Sequence, residues 1–224
     1  RSKVTIVLQR QGKPIIVRQI AHQNEQPPTY FPTNKFTQSF QDIVDAYGVA
    51  SYQEMNPAVF TTITFPFLFG VMFGDVGHGI LMLLFSLWML KNEQDFMRQN
   101  LGEILSMLFQ GRYIILMMSL FAIYAGFMYN DIFGVSMALM PSAWTYQNGT
   151  LVMQHIDGYV YPFGVDSYWH TASNSLYFYN SLKMKMSVLM GVSQMCLGIV
   201  LSSYNAKYFQ KPYNFWFEFV PQII

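Results

Sequence analysis

Three stretches of this chain carry almost no ionised side chain, and that spacing of charge limits the folds open to it. Between Asn56 and Leu90 the one ionised residue is Asp75, with His78 three positions on; Tyr113 to Asn130 has none, and Met186 to Ala206 has none. A helix crossing the hydrocarbon core of a bilayer needs about 20 mostly apolar residues, so the last two stretches are expected to be single transmembrane helices. The first is too long for one crossing and a little short for two. Phe73-Gly74-Asp75-Val76-Gly77-His78-Gly79 interrupts it, and glycine tolerates turn conformations that other residues resist. The spacing therefore predicts a hairpin with spans at 57–74 and 76–91; the rival is one long tilted helix. The expected fold class is all-α, a polytopic helical membrane protein with four complete transmembrane helices and the start of a fifth at 215–224. Composition agrees. Only 11% of the 224 residues are charged, against roughly a quarter in soluble domains, and a net charge of +1 offers no field for nucleic acid.

The loops give an orientation. From Asp131 to Leu182 there are three acidic residues and no Lys or Arg, whereas Lys91, Arg98 and Arg112 fall between the second and third spans and Lys207 and Lys211 after the fourth. Basic residues stay on the cytosolic side. The expectation is a cytosolic N-terminal region to residue 35, an amphipathic interfacial helix and linker at 36–55, and the hairpin at 56–91. A cytosolic loop at 92–112, span three at 113–130, a lumenal loop at 131–185, span four at 186–206 and a cytosolic loop at 207–214 follow. Asn148-Gly149-Thr150 is an N-glycosylation sequon in the lumenal loop. Lys183 and Lys185, at the lumenal mouth of span four, count against this orientation unless they snorkel.

Outside the spans, residues 3–8 and 14–20 alternate loosely around Gly12-Lys13-Pro14, as a weak hairpin would. Phe36, Phe40, Ile43, Val44 and Tyr47 recur at helical spacing opposite Asp42 and Asp45. Asn56-Pro57 reads as an N-cap followed by proline at the first helical position. Thr61, Thr62 and Thr64 are expected to satisfy groups freed by Pro66. The chain opens at Arg1, without an initiator Met or a signal-like run, and is expected to be a piece of a longer protein.

Chemistry-bearing constellations are sparse. Asp75 with His78 reads either as a protonatable pair on an ion path or as the cap of the second span with an interfacial histidine. Gly70 and Gly74 form a GxxxG pair, either a helix-packing seam or a chance spacing. An intramembrane aspartyl protease needs two carboxylates sharing a proton; Met72 stands where its first motif needs glycine, and Tyr129-Asn130-Asp131 is one residue out of pattern. His22, His78, His155 and His170 lack metal-ligand spacing, Cys196 lacks a nucleophile context, and no GxxxxGK[ST] loop occurs. No catalytic residue, metal or cofactor is expected.

From Pro27-Pro28-Thr29-Tyr30-Phe31 onward the sequence resembles a known family. The resemblance is carried by Thr33-Asn34-Lys35-Phe36-Thr37, Ile43-Val44-Asp45-Ala46-Tyr47-Gly48-Val49, Asn56-Pro57-Ala58, Phe65-Pro66-Phe67-Leu68-Phe69 and Met72-Phe73-Gly74-Asp75-Val76-Gly77-His78-Gly79. It continues through Gly111-Arg112-Tyr113-Ile114-Ile115-Leu116, Tyr129-Asn130-Asp131, Tyr161-Pro162-Phe163-Gly164-Val165-Asp166, Asn180 to Val188 and Phe219-Val220-Pro221-Gln222. These blocks resemble the a subunit of the vacuolar-type proton-pumping ATPase, although the first 26 residues match poorly and Pro32 stands where an Arg is more usual. The resemblance implies a membrane-sector subunit of a rotary pump that acidifies organelles, in an endomembrane or vacuolar/lysosomal membrane. It implies a proteolipid c-ring, other pump subunits and the lipid bilayer as partners, and no ATP hydrolysis by this subunit. The family's essential arginine matches no position here, so the chain is expected to be the scaffold half. A polytopic channel or transporter sharing only the fold is the alternative.

Overall fold

The computed structural model describes residues 28–98, 102–146, 153–156 and 158–223. Their order is α1 (Lys35–Tyr47), α2 (Ala58–Met72), α3 (Val76–Lys91), α4 (Glu93–Arg98), α5 (Glu103–Gln110) and α6 (Arg112–Tyr129), then α7 (Ser175–Tyr208). Short helical pieces at Pro212–Asn214 and Val220–Ile223 flank a π-helical stretch, Phe215–Phe219. The chain is mostly helical. It departs from an all-α expectation between α6 and α7, where Asp131–Ile132 pairs with Val135–Ser136 and Trp144–Tyr146 pairs with Met153–His155, both antiparallel. The loose hairpin expected at 3–20 and the sequon at Asn148 lie outside the described residues.

The break between α2 and α3 falls at Phe73-Gly74-Asp75, so the apolar stretch is two helices and not one long one. Their arms do not pack chiefly on each other. α6 lies between them, parallel to α2 (Phe67 and Gly70 meet Phe121; Gly74 meets Ala125 and Tyr129) and antiparallel to α3 (Gly79 meets Ile123; Val76 meets Gly126). This packing rests on small side chains. Ser119, Ala122, Ala125 and Gly126 form the buried stripe of α6, and Gly77, Gly79 and Ser86 that of α3, which lets the helix backbones approach closely. A Cβ on Gly70 would sit 2.7 Å from the backbone carbon of Phe121, so only glycine fits there. Ser86 and Ser119 donate to carbonyls three residues back, those of Leu83 and Leu116, at 2.9 and 2.7 Å, so their burial leaves no hydroxyl unpaired.

Two helices, α6 and α7, are long and apolar enough to cross a membrane; α2 and α3, with 15 and 16 residues, are shorter apolar helices. α7 begins eleven residues before the span expected at 186–206, so Lys183 and Lys185 lie within a helix and not at a loop mouth. The reason is that charge spacing marks the apolar part of a helix and not its end. The threonine expectation is corrected too. Pro66 frees the carbonyl of Thr62, but Thr61, Thr62 and Thr64 donate to the carbonyls of Pro57, Ala58 and Phe60, each on its own preceding turn. The N-cap of α2 is Pro57, one residue later than expected, and Asn56, just before it, accepts from the Ala58 N–H at 3.0 Å.

Candidate functional site

Asp75 sits between α2 and α3 and is the N-cap of α3. Its Oδ1 accepts from the backbone N–H of His78 and from that of Phe133, both at 3.1 Å, while Oδ2 lies 3.0 Å from His78 Nδ1. The carboxylate therefore caps a helix and also holds the turn of the first β-hairpin, where Phe133 takes a positive φ of 51°. The His78 ring sits edge-on between the rings of Phe73 and Phe133. Burial pushes the Asp75 carboxyl up, but the hydrogen bonds from the His78 ring, Phe133 N–H and the first turn of α3 outweigh it. The net shift is below the ordinary carboxylate value. Gly74 abuts the Tyr129 ring and Gly77 the Phe133 ring so closely that a Cβ on either would overlap it.

The same end of the bundle holds three polar fastenings absent from the sequence reading. Asn130, fully buried and left-handed at φ 51°, ends α6 and donates from Nδ2 to Val165 O at 2.6 Å and to Tyr161 Oη at 3.0 Å. Val165 N–H returns to Met128 O at 2.8 Å, and Gly164, at φ +75°, lets the loop lie against that carbonyl. Buried Asp166 accepts from Ser142 Oγ (2.7 Å) and from the N–H groups of Ala143 (2.9 Å) and Tyr168 (3.1 Å). Tyr129 Oη donates to Val71 O at 2.9 Å, and the Lys183 ammonium lies 4.9 Å from the Tyr129 ring centre. The blocks Tyr129-Asn130-Asp131 and Tyr161 to Asp166 are thus one knot in space.

At the opposite end Glu93 Oε1 accepts from Lys35 Nζ and from an Arg112 guanidinium nitrogen, both at 3.1 Å. Arg112 also donates to Phe109 O at 2.9 Å and lies over the rings of Phe109 and Tyr113. The Lys35 hydrogen bond and the Arg112 charge hold the Glu93 carboxyl below its ordinary value against the opposing effect of burial. Ser39 Oγ donates to Gln110 O at 2.6 Å, and Asn205 bridges Met55 N–H and Glu54, binding α7 to the start of α2. Among the described residues no cluster of three or more His, Cys, Asp or Glu is placed to hold a metal ion.

A bundle of apolar helices joined by a small-residue seam, with polar fastenings at both ends, defines a mostly helical protein with two helices long and apolar enough to cross a membrane. Residues 3–224 match the model of the V-type ATPase 116kDa subunit family, and the chain belongs to that family. It is 52% identical over 212 residues to V-type proton ATPase subunit a3 of Arabidopsis thaliana, covering 92% of this chain and 26% of that protein. It is 49% identical over 221 residues to the V-type proton ATPase 116 kDa subunit a 1 of Mus musculus (90% and 26%) and 49% over 219 residues to subunit a 4 of Homo sapiens (88% and 26%). The chain spans about a quarter of the length of these relatives.

Proposed function

We propose that the chain is the part of a V-type ATPase a subunit that enters the membrane, and that it serves as scaffold in ATP-driven rotary proton translocation from cytosol to lumen. The family match over residues 3–224 carries this reading and does not favour an independent channel or transporter. In it α2, α3, α6 and α7 cross the bilayer. The short arms α2 and α3 are accommodated by packing on α6 and by local adjustment of the bilayer. The Arg112 end faces the cytosol, because Lys35, Lys91, Arg112, Lys207 and Lys211 gather there. The Asp75 end, the 131–174 loop and Asn148, a glycosylation acceptor, face the lumen of an endomembrane compartment. The partners are a proteolipid ring, other pump subunits and lipid.

Within that reading Asp75 holds the lumenal loop and does not relay protons. Its charge is consumed by two backbone N–H groups and the His78 ring. Gly70 and Gly74 serve the seam with α6. Proton exchange with a ring carboxylate requires a fixed intramembrane cation, since burial alone raises the carboxylate's pKa and holds its proton; Arg112 is committed to Glu93 at a helix end. Two measurements test the proposal. The full-length subunit is expected to co-purify with a proteolipid ring, and failure to do so overturns the function. His155→Cys, in a full-length background without other cysteines, is expected to react with an impermeant maleimide only after sealed vesicles are opened. Labelling from the cytosolic side overturns the orientation.

A further inference from the structure

The last turns of α7 and the chain after it enclose a groove of about 730 Å³, within the range of small-molecule sites. Its two ends differ in chemistry. Val200, Ser203, Tyr204 and Lys207 line it from α7, one helical stripe at spacings of three and four. Phe215, Trp216 and Phe219 form the facing wall, from the π-helical stretch. Val200 lies about 10 Å along the helix axis from Lys207, so the groove grades from an apolar, aromatic end to one bearing Lys207, Gln210 and Lys211. Among the described residues neither lysine forms an ion pair. Glu218, the carboxylate nearest in sequence, lines an adjoining cavity with Glu54 and Asn205, and Lys211 contributes to both. The groove's own lining thus holds two cations and no acid, beside an aromatic wall, with Lys207 the cation farther from the acids of the adjoining cavity.

We propose that this groove binds one anionic phospholipid, its phosphate between Lys207 and Lys211 and the upper part of an acyl chain along Val200 and Phe219. A free phosphate would use the cationic end alone and leave the aromatic wall unexplained. A zwitterionic phospholipid offers the same phosphate but brings a cation of its own to the lysine end, which an anionic one does not. Exposed Tyr204 and Trp216 line the groove, the residue types that settle at a membrane–water interface. The inference rests on α7 spanning the bilayer, but not on which leaflet its Lys207 end meets.

The test uses the assembled membrane sector with a full-length subunit, in nanodiscs of phosphatidylcholine with or without phosphatidylserine in both leaflets, followed by mass spectrometry of retained lipid. The wild type is expected to retain phosphatidylserine in preference to phosphatidylcholine. The double variant Lys207→Gln, Lys211→Gln is expected to lower that retention about thirtyfold, taking the usual contribution of a lysine near an anionic headgroup twice over. The Lys207→Arg, Lys211→Arg variant keeps both charges and should retain the lipid within about threefold. Glycerophosphoserine, a headgroup without chains, should not compete. Equal retention by the Gln variant, competition by the headgroup alone, or no anionic lipid in the wild type each overturns the proposal. Failure of the subunit to enter nanodiscs at all would instead refute the membrane reading beneath it.

Discussion

Replacing Asp75 separates its structural and proton-carrying roles because its two oxygens do different work. Oδ1 takes both backbone hydrogen bonds, from His78 and Phe133, and Oδ2 meets only the His78 ring. Asp75→Asn keeps a carbonyl oxygen in the Oδ1 position, and its amide can donate to Nδ1 of neutral His78. What it loses is charge, roughly 0.5–1 kcal/mol of helix-end and charge-assisted bonding. Asp75→Leu removes the cap, worth about 1 kcal/mol. It also takes the acceptor from the Phe133 N–H, on an exposed residue, a further ~0.5–1 kcal/mol. The expected order of thermal stability for the assembled sector is therefore wild type, then Asn slightly below, then Leu lower by about 1.5–2 kcal/mol with reduced assembly. Proton pumping per assembled complex should be near normal in Asp75→Asn. A normally assembled Asp75→Asn complex that cannot pump would refute the reasoning and put the carboxylate on the proton path. Equal stability of the Asn and Leu variants would refute the cap.

Gly70→Val should cost about 1–3 kcal/mol by overpacking against Phe121 and lower the yield of assembled subunit, whereas Gly48→Ala, which meets nothing within 4 Å, should not. Arg112→Ala should destabilise by about 2–3 kcal/mol because it leaves the shielded Glu93 carboxylate with one partner. Lys35→Ala should cost under about 1 kcal/mol, since that side chain is 72% exposed against 11% for Arg112; thermal melts of the purified subunit check both. Asn130→Asp puts a carboxylate oxygen against the Val165 carbonyl and should loosen the 131–174 loop, read as faster proteolysis there. Asp75 and Glu93 both sit below their ordinary values. Their contributions are thus complete above the ordinary carboxylate range and are lost as pH falls through the lower folded values. Stability should be insensitive to these two groups between neutrality and about pH 5 and fall only below about pH 4. A loss between pH 7 and 5 that Asp75→Asn abolishes would contradict this.

Charge spacing located the ends of α3 and α6 to within a residue because Lys91 and Arg112 mark where the apolar runs meet polar surroundings. It misjudged the start of α7, since Ser175 to Lys185 carries lysines and tyrosines that a helix accommodates on its exposed faces. The two β-ladders have strands of two or three residues, too short for alternation to register. Asp75 stood out because it is alone in an apolar stretch. Asn130, Asp166 and the Glu93–Arg112 pair did not, because their partners lie 19 to 35 residues away along the chain and nothing local distinguishes them. Gly126 gave no signal either; it belongs to no GxxxG pair, and its tight contact with Val76 exists only once α6 lies along α3. In hindsight, polar residues just beyond an apolar run, such as Asn130 and Glu93, are the positions worth marking.

The position of α6 between the arms of the hairpin also bears on how the chain is made. Synthesis delivers α2 and α3 first, and neither has its main packing partner until Tyr129 has left the ribosome. At ordinary elongation rates the residues from Lys91 to Tyr129 take about 2–8 s, long compared with helix formation or loop closure. During that interval two short helices with open glycine and serine stripes wait without their main packing partner. Variants that weaken the seam, such as Gly70→Val, would lengthen this exposed stage. They should be cleared by degradation during biogenesis before they register as slow pumps.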